Sequence, residues 1–208
     1  MKDTRSSEYT RRLSRVQGAS WKQFAPNPYR MWLRRQNLGF TLDVGCGLGR
    51  SLLYLDGNGV GVDHNAEFVA ICRERGLQAY TPEEFPTSPF ATEGRFDALM
   101  CLHVLEHLDD GVAEPLLRGY LEYVRPGGKV VLVTPQERGY ASDSTHTRFV
   151  DGHALVSLAE NLGLEVDGWG SFPLPRRAGR AFIYNEFHVV ASVPKAHPSH
   201  PGGLGSGR

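Results

Sequence analysis

The stretch Leu42-Asp43-Val44-Gly45-Cys46-Gly47-Leu48-Gly49-Arg50 decides the reading of this chain. A short apolar run, 41–44, enters three alternating glycines, and a helix-like segment, 50–55, follows. That is a strand, a tight turn and a helix. Glycines permit the turn and let a ligand approach the backbone. The dinucleotide fingerprint G-x-G-x-x-G would place its last glycine at position 50, which is Arg50. Asp43 stands two residues before the first glycine. A carboxylate there repels a pyrophosphate and suits an ammonium group.

Outward from this turn, strands and helices alternate. Strand 59–63 is followed by helix 65–75, with Phe68, Ile71 and Cys72 on one face. Strands 77–80 and 96–102 come next, the second a continuous apolar run as expected for a strand covered on both faces. Helix 110–124 is stopped by Arg125-Pro126-Gly127-Gly128, and strand 129–134 follows. A polar loop, 135–150, leads into helix 151–162, with Asp151 as cap and Gly163 as terminator. Two further strands, 164–171 and 182–193, flank a Pro/Arg/Gly-rich connection. The alternation predicts a mostly parallel, doubly wound sheet with helices on both faces. In such sheets ligands bind at the carboxyl ends of the strands.

Three units are expected: a basic arm over 1–27 with a short helix at 5–17, one domain over 28–193, and a disordered Pro/Gly/Ser/His-rich tail over 194–208. The domain opens on a helix at Pro28 capped by Asn27. The chain has 208 residues, 40% apolar and 22% charged, which excludes a wholly disordered, collagenous or disulfide-scaffold protein. Basic and acidic residues balance at 23 each, yet residues 1–35 hold nine basic residues against only Asp3 and Glu8. The body behind the arm is therefore mildly acidic. Cys46, Cys72 and Cys101 lie in or beside apolar runs without a C-x-x-C pair, which predicts reduced thiols and a cytoplasmic location. No run approaches the ~20 apolar residues of a membrane helix, and no apolar segment follows the N-terminal charges as in a secretory signal.

Asp63 ends the second strand, 18 residues after Gly45, where a carboxylate accepts hydrogen bonds from ribose hydroxyls. An amine at one end and a ribose in the middle describe S-adenosylmethionine. Here the sequence resembles the class I S-adenosylmethionine-dependent methyltransferases. The resemblance covers most of 40–193 and rests on 42–49, Gly61-Val62-Asp63, Phe96-Asp97, Val104-Leu105-Glu106-His107 and Arg125-Pro126-Gly127-Gly128-Lys129. It implies a Rossmann-like sheet of seven strands with an antiparallel C-terminal strand. It also implies that Asp43, Gly45, Cys46, Gly47 and Gly49 hold the methionine end and that Asp63, beside His64, holds the ribose. Glu84 and Phe85, with Leu102, would flank the adenine.

A second constellation follows strand four: His103-Val104-Leu105-Glu106-His107. On a helix, positions i, i+3 and i+4 share a face, so His103, Glu106 and His107 would point together. His146, in the loop after strand five, would join them over the same edge. Such a set binds a divalent transition metal. It resembles the Glu-x-x-Glu-His plus distant His pattern of ubiquinone-pathway O-methyltransferases and small-RNA 2′-O-methyltransferases, where metal-assisted activation of a hydroxyl is implied. His103 replaces the first Glu of that pattern, which favours an ion softer than Mg²⁺, and structural or metal-free catalytic roles for Glu106 and His107 weigh more than metal. His146 also suits a general base. H-x-x-E-H is the inverted zinc-peptidase motif as well, but that reading leaves the glycine turn without a purpose.

The expected function is methyl transfer to a small molecule, at oxygen. The basic arm with Trp21, Phe24, Tyr29 and Trp32 offers an alternative, RNA methylation, though the acidic body presents no broad basic face. A non-catalytic S-adenosylmethionine-binding domain is the other alternative. Arg176, Arg177 and Arg180 form either an anion site for the acceptor or a solvated turn. Tyr29, Trp32 and Arg35 either cover the cofactor or pack a helix on the sheet.

Overall fold

The computed structural model of the protein describes residues 27–195. The basic arm and most of the expected tail lie outside the described residues. Seven strands form one sheet: β1 Thr41–Val44, β2 Gly59–Val62, β3 Gln78–Tyr80, β4 Phe96–Leu102, β5 Val124–Pro135, β6 Glu165–Phe172 and β7 Glu186–Ser192. Their order is β3-β2-β1-β4-β5-β7-β6. Strands β1 to β5 pair in parallel, and β7 runs antiparallel to both β5 and β6. The chain order reverses between β1 and β4, so the switch point lies above the glycine turn.

Helices α1 Pro28–Arg35, α2 Arg50–Tyr54, α3 Ala66–Glu74, α4 Ala113–Leu121, α5 Glu137–Tyr140 and α6 Gly152–Asn161 complete the described fold. Strand alternation sorts the core into two layers. Leu99, Cys101, Val130 and Leu132 face the layer holding Leu117 of α4 and Leu155 and Ala159 of α6. Ala98, Met100, Leu102, Val131 and Val133 face the layer of Leu33 from α1, Leu52 from α2 and Val69 and Cys72 from α3. Burial on both faces explains why the central strands read as unbroken apolar runs.

Both anticipated helix caps are formed. The Asn27 side chain accepts from the N–H groups of Tyr29 and Arg30, and that of Asp151 from Ala154. At the edge opposite the glycine turn, Asp97 accepts from the Phe40 N–H at 2.9 Å and from Arg125 Nε at 2.7 Å. That pairing joins the starts of β1, β4 and β5.

Several boundaries differ from the sequence reading. The helix expected at 110–124 is the shorter α4, and the Arg-Pro-Gly-Gly run lies inside β5. Val124 pairs with Phe96 and Lys129 with Ala98, so the run is an irregularity within the ladder rather than a helix stop. The loop at 135–150 contains α5, and residues 182–185 belong to the connection before β7. Residues 103–107 are not an α-helix. His103 has a φ of 60°, and only Leu105–His107 form a 3₁₀ turn.

Leu132 is fully buried at the centre of the sheet. Leu132→Ala should cost about 2–5 kcal/mol in urea denaturation, with an unchanged denaturant slope; a cost within experimental error would contradict this core.

Candidate functional site

The glycine turn bends β1 back over the sheet edge. The N–H groups of Gly45 and Cys46 both donate to the Val62 carbonyl, at 2.8 and 3.1 Å. At Gly45, φ is 80° and a Cβ would lie 2.2 Å from Val104 Cγ2, so no side chain fits. At Gly47, φ is 52° and a Cβ would project into open space. The turn borders a cavity of about 460 Å³ along the carboxyl edge of β1, β2 and β4.

Asp43 and Asp63 line one end of this cavity. Asp63 is committed on both oxygens. Oδ2 accepts from the Gly47 N–H at 2.8 Å and Oδ1 from the Asn65 N–H at 2.9 Å. His64 Nδ1 stands 3.5 Å from Asp63 Oδ1. Burial raises the Asp63 pKa, and the two backbone donors oppose the shift. Asp43 is only 2% exposed, and its Oδ2 has no hydrogen-bond partner. Burial, then the Asp63 charge, pushes its pKa up to about 8, against the pull of Arg50. A buried acceptor with no donor is costly unless something supplies one.

Leu102, Phe68 and Pro82 give the neighbouring wall an apolar surface. Two expected adenine contacts are corrected here. Glu84 points outward, binding Arg73 at 2.6 Å and the Thr81 N–H at 3.0 Å. Phe85 is core, 1% exposed, edge-on to Tyr120 and Tyr123. Neither lines the cavity, and Pro82 takes their place. Gly49 does not line it either. It precedes α2, and a Cβ there would meet Leu77 at 2.4 Å.

Further along the edge, Glu106, His107 and His146 come together with one ligand atom from each within 4.8 Å of the others. Glu106 is fully buried, and neither carboxylate oxygen has a hydrogen-bond partner. His146 Nδ1 lies 2.7 Å from the Tyr140 carbonyl, and His107 Nδ1 3.3 Å from the Thr145 carbonyl. A carbonyl only accepts, so each Nδ1 carries the proton and a neutral ring offers its lone pair at Nε2. Burial lowers the His107 pKa, which favours that neutral form. Tyr140 stacks on His146 at 5.4 Å. The loop is fastened to the turn after β4: the Glu106 carbonyl accepts from the N–H groups of Thr147 and Arg148 at 2.9 and 3.2 Å.

His103 stands apart from this trio, which corrects its expected place as a fourth ligand. Its Nε2 lies 2.9 Å from Glu186 Oε1 and its Nδ1 3.4 Å from Glu106 Oε1. Burial disfavours the charged ring, but the two carboxylates outweigh it and raise the pKa to about 10. A doubly protonated imidazole has no lone pair for a metal. Without a helix at 103–107, the His103 ring is spent on the Glu106 and Glu186 carboxylates instead of joining the trio.

Glu186 itself escaped the sequence reading. It starts β7, and because β7 is antiparallel its first residue reaches the functional edge. An expected antiparallel last strand was the available signal. Of the two readings of the arginine cluster, Arg176 fits the turn, since it pairs with both oxygens of Glu137 and covers the Phe187 ring at 4.7 Å. Tyr29 and Trp32 pack α1 above the edge, with Tyr29 6.2 Å from the His103 ring and Trp32 stacked on Phe172 at 5.1 Å. Arg35 is exposed.

Residues 19–167 match a family described as a methyltransferase domain. The chain belongs to the class I S-adenosylmethionine-dependent methyltransferase family. It is 27% identical over 151 residues to a ubiquinone biosynthesis O-methyltransferase of Pseudoalteromonas translucida, covering 61% of this chain and 63% of that enzyme. The chain thus spans less than two thirds of that relative's length. Among solved structures, an S-adenosylmethionine-dependent methyltransferase from Archaeoglobus fulgidus superposes with a TM-score of 0.66 at 20% identity, over 88% of this chain and 99% of the other. The [4+2]-cyclase SpnF superposes with a TM-score of 0.63 at 20% identity, over 85% of this chain and 84% of its own. At such identities these two neighbours establish the methyltransferase fold.

The Asp43 pKa carries a stability consequence. An unfolded aspartate titrates near ~3.9, so between about pH 4 and pH 8 the native state holds the extra proton. Stability from this group is therefore full below about pH 4 and declines as pH rises toward 8. Asp43→Asn has no such decline. It should be more stable than wild type at pH 8, with the gap closing toward pH 4, by thermal or urea unfolding across that range. A pH-independent gap would contradict the buried, proton-holding Asp43.

Proposed function

We propose that this protein transfers the methyl group of S-adenosylmethionine to a small-molecule acceptor, at oxygen. The observation that carries the reading is the unpartnered Oδ2 of buried Asp43 beside the glycine turn. It asks for a cationic donor where the family resemblance puts the methionine ammonium. Gly45, Cys46 and Gly47 let the ligand lie against the backbone, with no side chain intervening at the two glycines. Asp63, steadied by the Gly47 and Asn65 N–H groups, retains lone pairs for ribose hydroxyls. Leu102, Phe68 and Pro82 give the adenine an apolar bed, with His64 at its margin.

When bound, the cofactor supplies an already activated methyl on a sulfonium, so the protein's task is alignment and exclusion of water. His146 is placed to take the acceptor's proton at Nε2, because its Nδ1–H is committed to Tyr140. The Tyr140 stack and the Glu106 carbonyl fix the loop that carries it. Glu106 and His107 complete the acceptor end. The same three residues fit a divalent metal: one buried carboxylate, whose Oε1 the His103 ring approaches at 3.4 Å, and two Nε2 lone pairs, with both rings oriented by backbone carbonyls. Such an ion would be held by Glu106, His107 and His146 and would acidify an acceptor hydroxyl. The proton path through His146 needs no ion.

A small-molecule acceptor is preferred over RNA because the cavity end is lined by carboxylates and imidazoles. Among the described residues no helix is long and apolar enough to cross a membrane. Three free thiols support a cytoplasmic setting.

Calorimetry tests the assignment. S-adenosylmethionine should bind in the micromolar range and NAD should not. Asp43→Ala and Gly47→Val should each weaken binding about 10–100-fold, the first by removing a charge-assisted partner, the second by filling the cavity. His146→Ala should leave the affinity nearly intact. NAD binding, or affinity indifferent to Asp43, would overturn the reading.

A further inference from the structure

Cys46 and Cys72 come from different elements, the glycine turn and α3, and their sulfurs converge on one carbonyl. Cys72 Sγ lies 3.3 Å from the Gly47 oxygen and Cys46 Sγ 3.8 Å from it. The two thiols are close enough to shift each other's acidity in opposite directions, Cys46 upward and Cys72 downward. Neighbouring glycines make the space for this pair. A Cβ at Gly61 would lie 2.5 Å from Cys46 Sγ, and one at Gly49 would lie 3.0 Å from Cys72 Sγ. Cys46 borders the cavity, whereas Cys72 is fully buried behind it. Cys101, the third cysteine, faces the opposite core layer. Methyl transfer as derived above uses neither thiol of the pair for chemistry.

We propose that Cys46 and Cys72 form an oxidation site for hydrogen peroxide, and that their disulfide shuts the methionine end of the cofactor cavity. The proposal rests on the cofactor reading of that cavity for its second half only. A peroxide small enough to enter meets Cys46 first. The Cys46 sulfur attacks one peroxide oxygen, the O–O bond breaks, and water leaves, giving the sulfenic acid. The Cys72 sulfur then attacks Cys46 Sγ, the S–O bond breaks, and a second water leaves. In sum, two thiols lose two hydrogens and two electrons, and one peroxide becomes two waters.

Within the pair, Cys46 lowers the Cys72 pKa, helped by Arg75, and Cys72 together with burial raises that of Cys46, so Cys72 is the pair's thiolate and takes the Cys46 proton as the Cys46 sulfur attacks. The consequence for the cavity is geometric. A disulfide brings the sulfurs to about 2.05 Å, well inside any non-bonded contact. Cys46 is thereby drawn toward α3. Gly47 follows, although its N–H is tied to Asp63. The Gly47 carbonyl also loses both thiol donors. The turn that a ligand must lie against is displaced.

The test uses the full chain, treated with a slight excess of hydrogen peroxide and then mapped by peptide mass spectrometry. A peptide linking Cys46 to Cys72, lighter by two hydrogens, should accumulate and vanish on treatment with dithiothreitol. S-adenosylmethionine affinity, read by calorimetry, should fall at least about 10-fold on oxidation and return on reduction. Cys72→Ser should bind as the reduced wild type does before peroxide and should form no linked peptide after it, and Cys101→Ser should respond like wild type. No linked peptide, or a linked peptide with unchanged affinity, overturns the proposal. Should the reduced protein fail to bind S-adenosylmethionine, the proposed function fails, and the linked peptide still decides whether the pair is an oxidation site.

Discussion

A carboxylate that the fold buries with one oxygen unpartnered, Oδ2 of Asp43, organises this molecule. Asp43 lies within a strand paired with β2 on one side and β4 on the other, and it is 2% exposed at the wall of the cavity. Asp63 crowds it from the next strand, and Arg50 relieves the charge only in part. Such a group persists where the surrounding structure over-determines it. Here the two apolar layers on the sheet and the Asp97 junction at the far edge hold β1 in place. Strain of this kind marks a site waiting for a ligand of complementary charge.

The Glu106, His107 and His146 end of the cavity is assembled on a different principle. Its residues come from the turn after β4, the loop after β5 and the first residue of β7. Three backbone accidents bring them together: a left-handed His103, two N–H groups bonded to the Glu106 carbonyl, and the reversal of β7. His103 then bridges Glu106 and Glu186. His103 thus places a cation between two carboxylates. The trio of Glu106, His107 and His146 is left facing the cavity.

Much of the fold was legible because two-sided burial writes continuous apolar runs, and because Asn27, Asp151 and the three glycines carry local conformational instructions. The turn at 45–49 was legible for the same reason, since turn chemistry is local. The misreadings were of non-local origin. Periodicity at 103–107 suggested a helix, but a residue held between Glu106 and Glu186 took a left-handed conformation. Glu84 and Phe85 adjoin in sequence, yet Arg73 draws one outward and Tyr120 and Tyr123 enclose the other. The Cys46–Cys72 contact joins residues 26 apart on elements that only packing brings together. The fold alone also leaves the reaction open, since a [4+2]-cyclase shares it; the chemistry resides in the site.

The claim that Asp43 receives the ammonium is tested most directly by counting protons. Calorimetric titration of S-adenosylmethionine at pH 7, repeated in buffers of different ionisation enthalpy, measures the protons exchanged on binding. With the free Asp43 carboxyl titrating at about 8, binding should release about one proton at pH 7, and Asp43→Asn should abolish that release. Proton-neutral binding in the wild type would contradict the account.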